Sequence, residues 1–200
     1  MRETGLCPYG ADDRTTERLM NSSPEPKLTD GVIFLRPLTM DDAPDHLAGE
    51  DDEMAKWLSG GHGTLATVQA YIERCQASWR SAGPLRAFGI FDCATGVLIG
   101  CIESNVQPAL EPGQVNVSYG VFRPWRGQGW AGRAINLVAQ YLQATKAASQ
   151  IVLRISPDNR ASLQVAEKSG FTFLGVFDEP QGRRARYIRD LQNSLPAGGP

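Results

Sequence analysis

The residues best suited to chemistry form a glycine-rich turn near the middle of the sequence, Arg126-Gly127-Gln128-Gly129. Glycines let the backbone approach another group closely, and outward-facing amides gain partial positive charge where a helix follows. Five basic residues and no acidic residue lie between Glu111 and Asp158: Arg123, Arg126, Arg133, Lys146 and Arg154. The turn and its charge predict an anion site, with phosphate favoured. The alternative is an ordinary glycine-rich turn beside a solvated arginine.

Hydrophobic periodicity places this turn between a strand and a helix. Before the turn, apolar residues recur at every second position, as in a strand with two distinct faces: Val115, Val117, Tyr119 and Val121. After the turn, apolar residues recur at helical spacing: Trp130, Ala134, Leu137, Val138 and Tyr141. The turn therefore leads into a helix N-terminus, which is the backbone arrangement that binds anions.

The chain before this unit is predicted to hold one strand, several helices and a hairpin. The first strand covers residues 32–38, and Thr39 is a suitable N-cap for the helix that follows. Two further helices are predicted at 50–58 and 67–81, separated by a flexible glycine-rich loop. Two strands at 86–91 and 97–103 have the spacing of a hairpin, which indicates antiparallel pairing ahead of the central strand.

The chain after the central helix continues with a strand at 151–155, a helix at 161–168, and strands at 171–177 and 184–191. The strand at 151–155 should lie parallel to the central strand, because a helix has carried the chain back between them. The element order predicts an α/β (α+β) domain with a mixed, mostly antiparallel sheet of about six or seven strands and flanking helices. We expect this domain at 29–192, with disordered polar ends at 1–28 and 193–200.

Composition narrows the class of protein. The chain has 200 residues, 42% of them hydrophobic, and a net charge of −2, which suits one domain with a real core and argues against a general nucleic-acid binder. Four cysteines without CxxC spacing and two histidines predict no metal site. The sequence shows neither a signal peptide nor a membrane-spanning apolar run, so we expect a cytoplasmic protein with free thiols and no membrane partner.

Two motifs on this framework resemble the GNAT acetyltransferase superfamily. The family's signature at the phosphate-binding turn is matched by Arg126, Gly129 and Ala131, and a second segment, NxxS followed by EKxGF, is matched within 159–171. The segments LRPLTMDDA and Lys56-Trp57-Leu58 resemble the Rim-type branch, which acetylates protein N-termini and small amines. The resemblance covers roughly residues 32–191. It implies a GNAT fold in which the fourth and fifth predicted strands splay apart.

The resemblance implies acetyl-CoA as the cosubstrate, without a metal. Its pyrophosphate would bind the turn amides, and its pantetheine arm would pair with the central strand where that strand ends. Arg123 would meet the 3′-phosphate or be solvated, and Asn159 would cap its helix and contact the cofactor. The implied cofactor-binding residues are Val121, Phe122, Arg123, Arg126, Gly127, Gln128, Gly129, Trp130, Ala131 and Asn159.

The implied reaction is direct transfer of an acetyl group to a primary amine, with a backbone N–H near Phe122 stabilising the oxyanion. Glu103 is the first candidate for the general base, and a solvated strand-end carboxylate is the alternative. Ser162 would lie near the thiol sulfur or serve only as the third residue of a capped helix. Relatives carry a tyrosine acid where this chain has Ala166, so Tyr119 or water would have to substitute.

The acceptor pocket is the least defined part of this prediction. Trp57, His62 and Tyr71 could shape it, although aromatic residues on helical faces usually belong to the core. The acidic run at 50–53 could attract a cationic amine, or be a solvated helix start. Peptide N-termini, polyamines and aminoglycosides are all candidate acceptors, and a homodimer is possible.

Two other classes of protein compete with an acetyltransferase. Gly127, Gly129 and Gly132 also match the GxGxxG fingerprint of NAD-binding folds, but the strands before the turn are predicted to be antiparallel, and no suitable acidic residue ends the next strand. The second alternative is a non-catalytic GNAT-like module that binds acyl-CoA as a sensor. Binding without turnover would distinguish the sensor from an enzyme.

Overall fold

The computed structural model describes residues 26–107 and 109–191, which form one mixed sheet with helices on both faces. The strands are β1 (Leu28–Thr29), β2 (Ile33–Arg36), β3 (Arg86–Asp92), β4 (Leu98–Asn105), β5 (Gln114–Val121), β6 (Gln150–Ile155), β7 (Thr172–Glu179) and β8 (Gly182–Asp190). The helices are α1 (Ala43–Gly49), α2 (Asp52–Met54), α3 (Leu65–Arg80), α4 (Trp130–Ala144) and α5 (Arg160–Lys168). A 3-10 turn precedes α1 at Met40–Asp42, and a second follows β5 at Arg123–Trp125.

The eight strands lie in the order β1-β2-β3-β4-β5-β6-β8-β7. Every neighbouring pair is antiparallel except β5 and β6, which are parallel because α4 carries the chain back between them. This confirms the mixed, mostly antiparallel sheet, with more strands than the six or seven expected. The short strand β1 was not predicted, since two residues are too few to show a period.

The sheet separates two apolar cores, and strand alternation decides which residue joins which core. On β2, Ile33 and Leu35 belong to the core beneath α4, whereas Phe34 belongs to the core beneath α1 and α3. The helix α4 contributes six buried side chains to the first core: Ala134, Ile135, Leu137, Val138, Ala139 and Leu142. The central helix is therefore fixed firmly against the sheet, which holds its N-terminus in place.

The parallel strands β5 and β6 separate partway along their length. Their pairing covers only Gln114–Asn116 with Gln150–Val152, although β5 continues to Val121 and β6 to Ile155. The predicted splay between these strands is therefore confirmed. Beyond the last pair, the facing edges of both strands are open to a ligand.

Most predicted elements are present, with boundaries shifted by a few residues. The helix predicted at 50–58 is a single turn, α2, that continues as a π-helix at Ala55–Ser59. Residues 1–25 and 192–200 lie outside the described part of the chain, so the expected leader and tail stay predictions. Leu28, placed in the leader, pairs with Leu35 in the sheet, so the ordered chain begins before residue 29.

Between residues 26 and 191, Pro108 excepted, no helix combines the length and the apolar character that crossing a bilayer requires. In that same part of the chain, no three histidine, cysteine, aspartate or glutamate side chains are grouped in a way that could hold a metal ion.

Candidate active site

The gap between β5 and β6 opens into a first cavity of about 660 Å³. Its walls are the unpaired parts of both strands, the start of α4, the start of α5 and the π-helical segment after α2. The catalytic and cofactor-binding candidates that line it are Tyr119, Val121, Arg126, Gly127, Gly129, Trp130, Ala131, Asn159 and Ser162. The structure thus brings together most of the residues that the motifs singled out.

The glycine-rich turn has the geometry expected of an anion site. Gly127 and Gly129 have φ angles of +75° and +85°, a region that other residues adopt only with strain, and a Cβ at either position would meet no atom within 4 Å. Gly129 is the N-cap of α4, so the amides of Trp130 and Ala131 have no intrahelical acceptors. The Trp130 indole nitrogen is also buried without a hydrogen-bond partner among the described residues.

Gln128 is exposed and does not line the first cavity. Its side-chain amide donates to the Pro124 carbonyl at 3.3 Å. Any role in phosphate binding would therefore fall to the backbone of Gln128 and not to its side chain.

Arg126 lies beside the turn, but its guanidinium is already occupied. It forms two hydrogen bonds of 2.8 Å with the Asp51 carboxylate, and its Nε donates to the Val121 carbonyl, also at 2.8 Å. Hydrogen bonding from Arg126 holds the pKa of Asp51 below its usual value. Asp51 also caps α2 by accepting from the Met54 amide. Arg126 therefore links the turn to α2 and covers the carbonyl at the end of β5.

The basic character of this stretch is largely neutralised by acids from elsewhere in the chain. Arg133 pairs with Asp30 at 2.7 Å, and Arg154 pairs with Glu179, whose side chain is only 3% exposed. Arg123 is exposed, near Asp51 but outside the lining of the first cavity. The local charge seen in the sequence therefore overstates the free positive charge at the site.

The backbone and the ring of Phe122 are both engaged within the protein. Its amide donates to the Ile99 carbonyl at 2.8 Å, and its own carbonyl accepts from the Trp125 amide at 2.9 Å. Its ring is buried under α1, where a Cβ on Gly49 would come within 2.3 Å of it. Because both backbone groups already have partners on the β4 side and in the following turn, this geometry does not favour Phe122 for pairing with a pantetheine arm or for stabilising an oxyanion.

Because backbone groups alternate in direction along β5, neighbours of Phe122 face the gap in its place. Phe122 is hydrogen-bonded toward β4, so the amide and carbonyl of Val121, and of Tyr119 two residues earlier, point toward β6. The contact from Arg126 to the Val121 carbonyl agrees with this direction. The Val121 amide therefore faces the gap, close to where the predicted Phe122 amide was expected to act.

The second motif folds as a capped helix that contacts β5. Asn159 accepts a hydrogen bond from the Ser162 amide at 3.1 Å, as an N-cap does, so Ser162 is the third residue of α5. The Tyr119 hydroxyl donates to the Ser162 carbonyl at 3.3 Å, and burial raises the pKa of Tyr119 to about 12. An acid with this pKa would give up its proton to a thiolate only with difficulty, so Tyr119 is better suited to hold α5 against β5.

A second cavity of about 750 Å³ lies on the other side of β5, against α1 and α3. Both cavities are lined by Asn116, Ser118 and Tyr119 of β5, and by Met54, Trp57 and Leu58 from the segment after Asp52. At Gly120 that segment packs directly on the strand, since a Cβ there would lie 2.7 Å from Leu58. The two cavities therefore meet along the central strand.

Glu103 lines the second cavity and is held in place by two hydroxyl groups. Tyr71 donates to one carboxylate oxygen at 3.1 Å, and Ser118 donates to the other at 3.2 Å. Glu103 is partly buried, which rules out the alternative of a freely solvated strand-end carboxylate. Tyr71 also lines the second cavity, and burial raises its pKa well above 10, so its hydroxyl stays protonated.

The other two residues suggested for the acceptor pocket, Trp57 and His62, differ in their positions. Trp57 lines both cavities, with its indole N–H donating to Glu53 at 3.0 Å. His62 lines neither, and pairs with Asp52 on the surface.

Sequence reasoning missed His46 and Glu50, which line the second cavity although they were not proposed as site residues. Glu50 was counted only in an acidic run, yet its side chain is 11% exposed. The two residues are four apart across the end of a helix, a spacing that places them together, but no sequence signal showed that this side of α1 faces a cavity.

Comparison with known proteins agrees with this architecture. The model of the acetyltransferase (GNAT) domain matches residues 33–172, so the chain belongs to this family of acetyltransferases. No curated protein sequence matches the chain.

Solved structures share the fold at low sequence identity. A GNAT-family acetyltransferase from Bacillus anthracis is 16% identical with a TM-score of 0.71, covering 84% of this chain and 99% of its own. A Salmonella typhimurium acetyltransferase that modifies the N-terminal serine of a 50S ribosomal subunit protein is 15% identical, with a TM-score of 0.70 and coverages of 80% and 95%. An aminoglycoside acetyltransferase in complex with coenzyme A is 20% identical, with a TM-score of 0.67 and coverages of 80% and 95%.

Proposed function

We propose that the protein transfers an acetyl group from acetyl-CoA directly to a primary amine, with the cofactor in the first cavity and the acceptor in the second. The observation that carries this proposal is the meeting of the two cavities along β5, beside the gap between β5 and β6. A thioester lying in that gap would present its carbonyl to an amine on the other side of the strand. The neighbour of the same fold that is in complex with coenzyme A supports the choice of acetyl-CoA as the donor.

The pyrophosphate of acetyl-CoA would bind the amides at the start of α4, above the turn formed by Gly127 and Gly129. The pantetheine arm would lie along β5 and take the hydrogen-bonding groups that face the gap. Arg126 now covers the Val121 carbonyl, so it would have to shift or share that carbonyl when the arm enters. Asn159 and Ser162 line the same cavity from α5 and would contact the arm.

The chemistry requires a neutral amine, a stabilised oxyanion and a leaving thiolate. The Val121 amide, which faces the gap, is the candidate oxyanion donor in place of Phe122. Glu103 is placed to meet the ammonium group of an acceptor, as its counter-ion or as its proton acceptor. A thiol has a pKa of about 8.5, so the thiolate can leave without a dedicated acid, and the tyrosine missing at Ala166 is no obstacle.

The acceptor chemistry follows from the charges around the second cavity. Glu50 and Glu103 both line it, and so do three arginines, Arg74, Arg154 and Arg184, of which Arg154 is already paired with Glu179. The two carboxylates are the groups of this wall that can meet a cationic amine. We infer a cationic amine acceptor, which includes protein N-termini, polyamines and aminoglycosides. Cys75 and Cys101 are free thiols, which supports a reducing, cytoplasmic setting.

Calorimetric titration with acetyl-CoA, beside CoA and NAD, followed by thiol release over a panel of amines, tests the proposal. We expect acetyl-CoA and CoA to bind, NAD not to bind, and at least one cationic amine to be acetylated. Binding without turnover on any amine would favour the acyl-CoA sensor. Failure to bind acetyl-CoA would overturn the proposal.

A further inference from the structure

The second cavity contains a histidine whose ring has no hydrogen-bond partner. His46 lies near the end of α1 and is 6% exposed, and neither ring nitrogen has a hydrogen-bonding partner among the described residues. An unsatisfied polar group in a protein interior costs about 1–3 kcal/mol. His46 lines a cavity large enough for a ligand, and an unpaired buried polar group of this kind calls for a reason such as ligand binding. Both ring nitrogens are covered by protein in this structure, so a ligand would reach one of them after a small shift of the neighbouring side chains.

The ring of His46 is held in one place by its surroundings. Its Nδ1 lies 3.7 Å from the Glu50 carboxylate, which is itself fixed by a 2.9 Å hydrogen bond from the Gly63 amide. The centroid of the imidazole lies 5.8 Å from that of the Tyr71 ring and 6.2 Å from that of the Phe122 ring, which is nearly perpendicular to it. The carboxylate can stabilise a positive charge on the imidazole, and the two aromatic rings restrict its rotation.

The charged groups around His46 act in opposite directions. Burial lowers the pKa of His46, whereas Glu50 and Asp42 raise it, and burial prevails. The other titratable or charged groups on the elements packed around it are Tyr71, Cys75 and Cys101, which stay protonated, Glu103, to which Tyr71 donates, and the exposed Arg74, which lines the same cavity. The imidazole is therefore neutral at neutral pH and can accept a proton.

We propose that His46 is the catalytic base that takes the proton from the acceptor ammonium, with Glu103 holding that ammonium and Glu50 acting as the positioning residue for the imidazole. This inference rests on the proposed function and resolves the role of Glu103. Both oxygens of Glu103 already accept hydrogen bonds, from Tyr71 and Ser118, whereas the ring nitrogens of His46 accept none. A histidine base is also better matched to neutral pH than a carboxylate.

The proton balance of the reaction is complete with this assignment. The ammonium carries three protons, of which one stays on the product amide. The second passes to His46 and makes the amine lone pair available, the nitrogen–carbon bond forms, and the carbon–sulfur bond breaks. The third proton passes to the departing thiolate, and the imidazolium of His46 then returns its proton to solvent.

Two small probe amines separate a base from a merely structural histidine. Methylamine is protonated at neutral pH and needs a base, whereas hydroxylamine is already neutral and does not. We would measure thiol release from acetyl-CoA with each probe, after subtracting the uncatalysed rate, for the wild type, His46→Gln and the control His62→Gln. The control alters an exposed histidine that lines neither cavity. Calorimetry with acetyl-CoA on each variant measures cofactor binding separately.

We expect His46→Gln to lose about 10²-fold or more with methylamine but less than about fivefold with hydroxylamine. Acetyl-CoA affinity should stay within twofold of the wild type, as should both rates of His62→Gln. Added imidazole should restore part of the methylamine rate in His46→Ala, and an NMR titration of the wild type should show a neutral His46 ring at neutral pH.

Equal losses with both probes, or no loss with methylamine, would overturn the assignment. So would a His46 ring that is protonated at neutral pH, or a wild type that binds acetyl-CoA but acetylates neither probe. If His46→Gln does not fold, His46→Ala with imidazole and the NMR titration decide the matter. Failure of the proposed function differs from all of these, because the wild type itself would then not bind acetyl-CoA.

Discussion

Substitution of Gly129 tests the anion site most directly. Its φ angle of +85° makes any other residue strained by about 1–2 kcal/mol, while the space around its Cβ is open. Gly129→Ala therefore measures strain alone, Gly129→Gln adds bulk, and Gly129→Glu adds charge to the same bulk. For a chain of this size, each variant should melt about 2–8 °C below the wild type.

The repulsion between a carboxylate at this position and the phosphate of the ligand follows from Coulomb's law. A carboxylate about 4 Å from one phosphate charge is repelled by about 1 kcal/mol in water and about 4 kcal/mol at an effective dielectric constant of 20. These limits correspond to about fivefold and about 1,000-fold in affinity. Because Gly129 is exposed and a pyrophosphate carries more than one charge, we expect Gly129→Glu to bind acetyl-CoA at least about tenfold more weakly than Gly129→Gln.

Calorimetric titration with acetyl-CoA, beside thermal unfolding of each variant, separates binding from stability. The glutamate should stabilise the N-terminus of α4 at least as well as glutamine, since a negative charge suits that end of the helix. Weaker binding by a variant that is no less stable would therefore reflect the ligand. Equal affinities for Gly129→Gln and Gly129→Glu would refute the phosphate turn.

Three other substitutions test separate parts of the structure. Glu103→Gln removes the charge that would hold the acceptor ammonium, so it should lower kcat/KM by about 10²-fold in the thiol-release assay, and a change within twofold would exclude Glu103 from the site. Tyr119→Phe removes one hydrogen bond to the Ser162 carbonyl, so it should cost about 1 kcal/mol in urea unfolding and leave kcat nearly unchanged; a large loss of kcat would make Tyr119 the acid. Burial alone would raise the pKa of Glu179, but hydrogen bonds from Arg154 and Arg186 outweigh burial and hold it below its usual value. The stability that Glu179 contributes is therefore present above its unfolded-state pKa and is lost as the pH falls through its folded-state pKa. In urea unfolding, the free energy of unfolding of Glu179→Gln should therefore fall less steeply than that of the wild type as the pH is lowered.

Local patterns were sufficient for the elements that carry the candidate cofactor site. The alternation on β5, the helical spacing of α4 and the glycines between them are all properties of consecutive residues, and the structure agrees with them closely. The cap of α5 by Asn159 was predictable for the same reason, since an N-cap and its partner amide are three residues apart. The irregular helix after Asp51 was harder to predict, because a π-helical turn has no periodic signature of its own.

Contacts between distant residues decided the rest of the candidate site. Arg126 seemed to be a phosphate ligand until the structure placed Asp51, 75 residues earlier, against its guanidinium. Phe122 seemed to be at the open end of a strand, but whether an amide faces β4 or the gap depends on sheet register, which a single strand does not reveal.

The sequence by itself determined a strand, a glycine turn and a helix N-terminus suited to an anion, because dihedral freedom and hydrophobic period act over a few residues. Only the tertiary structure decided which charges stay unpaired and which side chains share a cavity. His46 shows the difference: its sequence neighbours predict a helix, but its burial beside Glu50 and its position in the wall of the second cavity depend on how α1 packs against the sheet. Packing is a property of the whole chain, so the site's reactive groups appear only once the chain is folded.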